Sequence, residues 1–221
     1  MNWTRLILVR HGHAHCNVSD TIAGSRTCKG LTDRGREQAA LLADRLVELH
    51  ADEPITAIYS TRTARTKQTA EIVAHSLNLS LSAELLEPDY GDAEGRLWKE
   101  VIAEFGQIFT TQPHLPMSPN AESWTAYIER TGQELGTLAK RHPGDTVVVV
   151  GHHETVIAAA HSFLQLGTAG RADVRFAADH TSLSIWQWRP LAWSKPDDDV
   201  WHWAMMCHND TGHIPEGLRS R

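Results

Sequence analysis

The chain has 221 residues, 41% of them apolar and 22% charged, a balance that buries a core rather than staying disordered. Its formal charge of −6 argues against a nucleic-acid binder, which needs clustered Lys and Arg, so affinity for phosphate must come from a local pocket. The three cysteines, Cys16, Cys28 and Cys207, are odd in number and lack C-x-x-C spacing, which favours reduced thiols in the cytoplasm over a disulfide framework. No apolar stretch is long enough to span a bilayer, and Met1–Arg10 lacks the cleavage site of a signal peptide. The length suits a single domain over residues 1–221.

Thr4 to Val9 reads as a buried strand, rich in Leu, Ile and Val and followed at once by Gly12. Thr32 is a suitable N-cap for a helix over Asp33–Leu49, whose Ala39, Leu42, Leu46 and Leu49 recur at helical spacing. Ile55–Tyr59 is a second strand and Thr63–Leu77 a second helix, and Leu81–Leu86 is extended. Trp98–Phe109 and Ser123–Arg141 read as helices on either side of a Pro-containing polar loop, Gln112–Asn120. Asp145–Val150 holds four consecutive valines, the mark of a strand buried on both faces, and Thr155–Leu166 is helical again. Ser182–Trp188 and Val200–Met206 alternate apolar and polar residues and suggest an edge hairpin joined by Pro190–Asp199, with Asn209–Arg221 a partly ordered tail. Strands alternating with helices indicate a three-layer α/β/α fold with a mostly parallel central sheet.

Two strand ends carry histidines: Arg10-His11-Gly12 after the first strand and Gly151-His152-His153 after the valine strand. Ligands of open α/β sheets bind outside the carboxyl ends of strands, so these groups are expected to be neighbours. Fourteen histidines also raise a metal site, especially His11-x-His13-x-His15. Gly12 ends the strand that would align them, and no H-E-x-x-H run occurs, so neither metal nor cofactor is expected.

Arg10-His11-Gly12 followed by Asn17 resembles the signature of the histidine phosphatase superfamily, and further blocks follow in that family's order. Gly30-Leu31-Thr32 with Gly35, Gln38 and Ala39 is similar to G-L-T-x-x-G-x-x-Q-A, and Arg65 to Ala70 to R-A-x-Q-T-A, with Thr66 for alanine. Glu87, Tyr90, Gly91, Glu94 and Gly95 resemble E-x-x-[FY]-G-x-x-E-G, Ala121-Glu122-Ser123 a G-E-S block, and Gly151-His152 the second histidine block. The resemblance implies a phosphoglycerate mutase-like fold and a metal-independent phosphomonoester hydrolase acting on a small phosphorylated metabolite. His11 would be the nucleophile, Arg10, Arg65 and His152 the groups around the phosphoryl oxygens, and Glu87 the proton donor, with Glu94 more a structural anchor. Asn17 and His153, the latter through its backbone N–H if a helix begins there, would add phosphate contacts.

A neutral imidazole can attack phosphorus, and adjacent guanidiniums both keep it neutral and present forked donors to phosphoryl oxygens. Leu97 and Trp98 align with an asparagine-lysine pair that mutases of the family use to hold phosphoglycerate, which favours the phosphatase branch over a mutase-like phosphotransferase. His180-Thr181-Ser182 and Asn209 to His213 resemble segments of α-ribazole phosphatase-type members. A non-catalytic member binding phospholigands or protein through its Trp-rich C-terminal third is the other alternative. The neighbours His13, His15, Arg26, Lys29, Trp98 and His153 suggest an anionic or aromatic substrate portion beyond the phosphate, Glu122 could cap a helix or touch substrate, and no oligomeric state is legible.

Overall fold

The computed structural model describes residues 3–82, 85, 87–107, 111–166, 176–191 and 200–219. Five strands, β1 (Thr4–Arg10), β2 (Ile55–Ser60), β3 (Thr146–Gly151), β4 (Leu183–Pro190) and β5 (Trp201–Asp210), form one sheet in the order β2–β3–β1–β4–β5. β2, β3 and β1 are mutually parallel, and β4 and β5 add the expected antiparallel hairpin at one edge. The register sets Arg10 of β1 opposite Gly151 of β3, so the residues that follow, His11 and His152, leave the sheet side by side.

The period-two alternation of side chains divides each central strand between two cores. Ile7, Val9, Val148 and Val150 pack with Leu42 and Leu46 of α2 (Asp33–Asp52) and Val73 of α3 (Ala64–Ser76). Leu6, Leu8, Val147 and Val149 face the other way, against Leu135 and Leu138 of α5 (Trp124–Arg141) and Val156 of α6 (His153–Phe163). Each buried Leu, Ile or Val contributes about 1.5–3 kcal/mol of transfer free energy, and covering both faces is what allows a run of four valines to be a strand. A smaller apolar cluster, Ile22, Tyr90, Ala93, Val101 and Met117, lies apart from these cores with Trp98 and Phe105 of α4 (Trp98–Phe105) packed on it.

Several boundaries differ from expectation. The helix expected to reach Phe109 ends at Phe105, because Gly106 takes φ 77° and donates its N–H to Ile102; Phe109 lies outside the described residues. A short helix, α1 (His15–Ser19), was not foreseen, and α6 begins at His153, earlier than Thr155. Leu81 and Leu85 make single parallel bridges to Ile58 and Thr61, while residues 83, 84 and 86 are outside the described set, as are 192–199 of the hairpin connection. The C-terminal segment, expected to be a partly ordered tail, is packed over its described residues. β5 runs to Asp210, Ile214 is 2% exposed, and Leu218 accepts a hydrogen bond from the buried Gln38 amide at 2.7 Å. No helix among the described residues is long and apolar enough to cross a membrane.

The exit of β1 lies against the N-terminus of α2 more closely than any side chain allows. A Cβ on Gly35 would stand 1.9 Å from the His13 carbonyl oxygen, and one on Gly12 would stand 2.5 Å from the Gly35 carbonyl oxygen. Gly→Ala in a helix ordinarily stabilises by about 1 kcal/mol. Gly35→Ala should therefore lower the thermal midpoint despite its better propensity, whereas Gly136→Ala in α5, whose added Cβ meets nothing within 4 Å, should raise it. Equal shifts for the two variants in thermal denaturation would count against the close-approach account.

Candidate active site

The segment after β1 is held from both sides. Thr32 caps α2 by accepting from Gly35 N and donates to the His13 carbonyl, while Gln38 accepts from His13 N at 2.8 Å. From α3, Thr69 accepts the Gly12 N–H at 3.1 Å and Gln68 accepts the Leu31 N–H at 2.7 Å. The spacing within Gly30 to Ala39 and Arg65 to Ala70 is thus that of two helices that clamp one loop.

His11 emerges from this clamp 4% exposed. Its Nδ1–H donates to the Gly12 carbonyl at 2.7 Å, which leaves the Nε2 lone pair outward, where Arg65 Nε donates to it at 3.0 Å. Burial, then the charge of Arg65, then His152 and Arg10 hold its pKa well below the ordinary histidine value, so the ring is neutral. Arg65 is itself buried. Its Nη2 donates to His152 Nδ1 at 3.1 Å and its Nη1 to the Ala23 carbonyl at 2.8 Å.

Because Arg65 occupies Nδ1 of His152, the ring proton sits on Nε2 and goes to Thr61 Oγ1 at 2.8 Å. Thr61 Oγ1 lies 2.9 Å from Thr66 Oγ1, whose own proton reaches the Thr63 carbonyl, also at 2.9 Å. Thr66, the threonine at a position where the family pattern has alanine, is part of this buried hydroxyl chain. His152 is also kept neutral, by burial and then by Arg65. Expected as a donor toward the ligand, it is here an acceptor for Arg65, and it needs a further proton before it can donate from Nδ1.

Arg10 reaches the site from the end of β1, with Nη1 donating to the Ala178 carbonyl at 2.7 Å and Nη2 lying 3.0 Å from His180 Nε2. Asn17 spends its Oδ1 on the Ala14 N–H at 2.9 Å and stands 3.2 Å from the same His180 nitrogen. His180 is the residue that sequence reasoning did not place in the site. Its ring lies 5.7 Å from that of His11 and 5.3 Å from that of His13, and burial followed by Arg10 lowers its pKa to about 2.

Arg10, His11, Asn17, Arg65, His152 and His153 all line one cavity of about 650 Å³. His153 is the first residue of α6 with His152 as its N-cap, so the N-terminus of that helix meets the cavity. The same cavity takes in Glu154, beside His153, and Cys16, which the sequence did not point to as a site residue. Glu87 lines a neighbouring polar cleft instead, where its Oε2 accepts from Arg62 N at 3.0 Å, next in sequence to the Thr61 that holds His152. In that cleft Glu94 receives the N–H groups of Arg26 and Thr27, an anchoring role, and Glu122 receives Arg130 through two 2.9 Å bonds. Arg130 also donates to the Glu87 carbonyl at 3.2 Å, so Glu122 supports Glu87 through an arginine, while Ser123 caps α5. His15 and Lys29 are exposed, and among the described residues no three His, Cys, Asp or Glu side chains converge as a metal site.

The arrangement matches a known class. Residues 6–195 match the model of the histidine phosphatase superfamily (branch 1), and the chain belongs to that family. It is an enzyme of the histidine phosphatase type with the α/β, phosphoglycerate mutase-like fold. Among its relatives, phosphoserine phosphatase 1 of Hydrogenobacter thermophilus is 33% identical over 186 residues, covering 82% of this chain and 85% of that one. The metal-independent phosphoserine phosphatase of Arabidopsis thaliana is 29% identical over 175 residues, 76% of this chain and 72% of that one. The solved structure of Bacillus stearothermophilus YhfR superposes with a TM-score of 0.75 at 25% identity, covering 96% of this chain and 99% of that one.

The buried neutral imidazoles make the fold sensitive to acid. Above about pH 6.5 these groups bind no proton in either state; below it the unfolded chain takes up protons that the native site refuses. Stability should therefore fall as pH drops below about 6.5, each of His11, His152 and His180 contributing about 1 kcal/mol per pH unit. In urea titrations between about pH 5 and 6.5, His180→Asn should flatten that slope by about one proton's worth; an unchanged slope would show that His180 is not buried neutral.

Proposed function

We propose that the chain, a single histidine phosphatase domain, hydrolyses small phosphorylated metabolites without a metal, through a phosphohistidine on His11 and with Glu87 as proton donor. The observation that carries this reading is the bonding of His11: its Nδ1–H is fixed to the Gly12 carbonyl, so its lone pair lies on Nε2, which accepts from Arg65 Nε in the cavity that Arg10 also lines. The name of the Arabidopsis relative, a metal-independent phosphatase, supports it. The free Cys16, Cys28 and Cys207 suit a cytoplasmic enzyme.

In the first step the Nε2 lone pair forms an N–P bond as the ester P–O bond breaks, and the leaving alcohol oxygen takes a proton from the acid. Arg10 and Arg65 stabilise the charge spread over the transferring phosphoryl oxygens. The incoming dianion supplies a counter-charge for His152, so that it can take up a proton and donate from Nδ1. In the second step water attacks phosphorus, the N–P bond breaks, and the carboxylate receives the water proton, which restores acid and imidazole.

A second reading concerns the acid. Glu154 lines the cavity of His11 itself, whereas Glu87 lines the neighbouring cleft, so Glu154 is the competing donor. A mutase-like phosphotransfer is disfavoured by Trp98, an apolar wall where the mutase branch has polar holding groups. A non-catalytic role is disfavoured by the retention of every group that the two steps require.

His11→Ala should lower kcat by on the order of 10⁴-fold or more, and acid-labile phosphate should be trapped on His11 in the parent enzyme during turnover; full activity in that variant would sink the mechanism. Arg65→Ala should cost on the order of 10²–10³-fold. Glu87→Gln should impair alkyl phosphates far more than p-nitrophenyl phosphate, whose leaving group needs little protonation. If Glu154→Gln shows that pattern and Glu87→Gln does not, Glu154 is the acid.

A further inference from the structure

The cavity is built for more than a phosphoryl group. At about 650 Å³ it lies within the range of roughly 300–1,000 Å³ that accommodates drug-sized ligands. Its phosphoryl end is set by Arg10, His11, Arg65 and His152. Beyond it the lining is mixed, with Asn17, Thr21, Gln107 and His153 polar, and one continuous apolar stretch is formed by α4, which presents Trp98, Val101 and Ile102 at helical spacing, together with Tyr90 and Met117. Tyr90 and Trp98 meet edge to face, 6.2 Å between centroids, so this wall is a packed surface rather than a loose set of side chains. Ile102 nevertheless remains 41% exposed, leaving part of that wall without cover from the protein.

Charge decides between the two kinds of substrate body. A phosphoryl dianion is matched by two guanidiniums, and among the described residues lining the cavity there is no Lys or Arg beyond Arg10 and Arg65. Among the described lining residues a second anionic group, such as a carboxylate, would meet no further guanidinium or ammonium. It would instead meet Glu154, which lies near enough to Arg10 and His152 to influence the protonation of both. Arg26, a candidate for holding a distal anion, is committed to Glu94 at 2.8 Å in the neighbouring cleft. A buried carboxylate without a partner is costly, whereas an apolar group against Trp98, Ile102 and Met117 gains by leaving water.

We propose that the physiological substrate is a phosphomonoester of an alcohol with an uncharged apolar or aromatic body, seated against Trp98, Ile102 and Met117, and not a carboxylate-bearing ester such as phosphoserine. This rests on the phosphatase reading above and narrows its substrate.

The test uses alkyl esters, so that leaving-group chemistry does not decide the result. The purified enzyme is assayed for phosphate release from 2-phenylethyl phosphate, O-phospho-L-serine and 3-phosphoglycerate, with p-nitrophenyl phosphate alongside. The expected result is a kcat/KM for 2-phenylethyl phosphate at least about tenfold above either carboxylate ester. Trp98→Ala should shrink that ratio, chiefly through KM for the phenylethyl ester, and Trp98→Phe should restore most of it. Equal or higher kcat/KM for phosphoserine or 3-phosphoglycerate would overturn the substrate class and leave the phosphatase reading standing. Hydrolysis of none of the three alkyl esters would also overturn it, and turnover of p-nitrophenyl phosphate then tells whether the phosphatase reading falls too.

Discussion

The site depends on one buried cation. Arg65 is 5% exposed and, among the described residues, has no carboxylate within ion-pair distance; its donors go to His11 Nε2, His152 Nδ1 and the Ala23 carbonyl. A guanidinium shared among neutral acceptors is desolvated without being neutralised. Burial, and after it the charge of Arg65, keeps both imidazoles unprotonated, which a nucleophile requires, and the same charge makes an incoming dianion the natural counter-charge. Affinity for anions and readiness for attack therefore come from the same unpaired charge.

The rest of the scaffold holds that charge in place. The parallel register of β1 with β3 brings His11 and His152 together, and α3 inserts Arg65 between them. Gly12 and Gly35 permit a contact that pins the loop after β1, and the Thr61–Thr66 hydroxyl pair fixes the tautomer of His152. Gly12, Gly35, Thr61 and Thr66 do not themselves line the cavity. They govern which nitrogen faces it and in what protonation state.

A second part of the cavity lining stands beside the phosphoryl machinery. It is made by the small cluster around Tyr90, Val101 and Met117, apart from the two cores that flank the sheet. A phosphatase can keep its charge-handling end and change its preference by altering such a wall, because the side chains that make the wall are not those that handle the charge. Glu87 and its Arg130–Glu122 support form a third unit in the adjoining cleft.

Local pattern alone determined the strands and main helices, since alternation and 3.6-residue periodicity record which side of each element is buried. It also marked Arg10, His11 and His152, because chemistry at strand ends needs particular side chains at fixed offsets from the element that carries them, while Arg65 was marked by the block that resembles the family's. Tertiary structure alone decided what depends on pairing between distant segments. His180 enters the site because β4 runs antiparallel to β1, pairing Leu183 with Val9, a register that no local pattern encodes. The packing of the C-terminal segment on Gln38, the placing of Glu154 in the cavity and Glu87 beside it, and the direction in which His152 carries its proton have the same origin. Each is a contact between residues far apart in the chain, and its geometry exists only once the sheet has brought them within hydrogen-bonding distance.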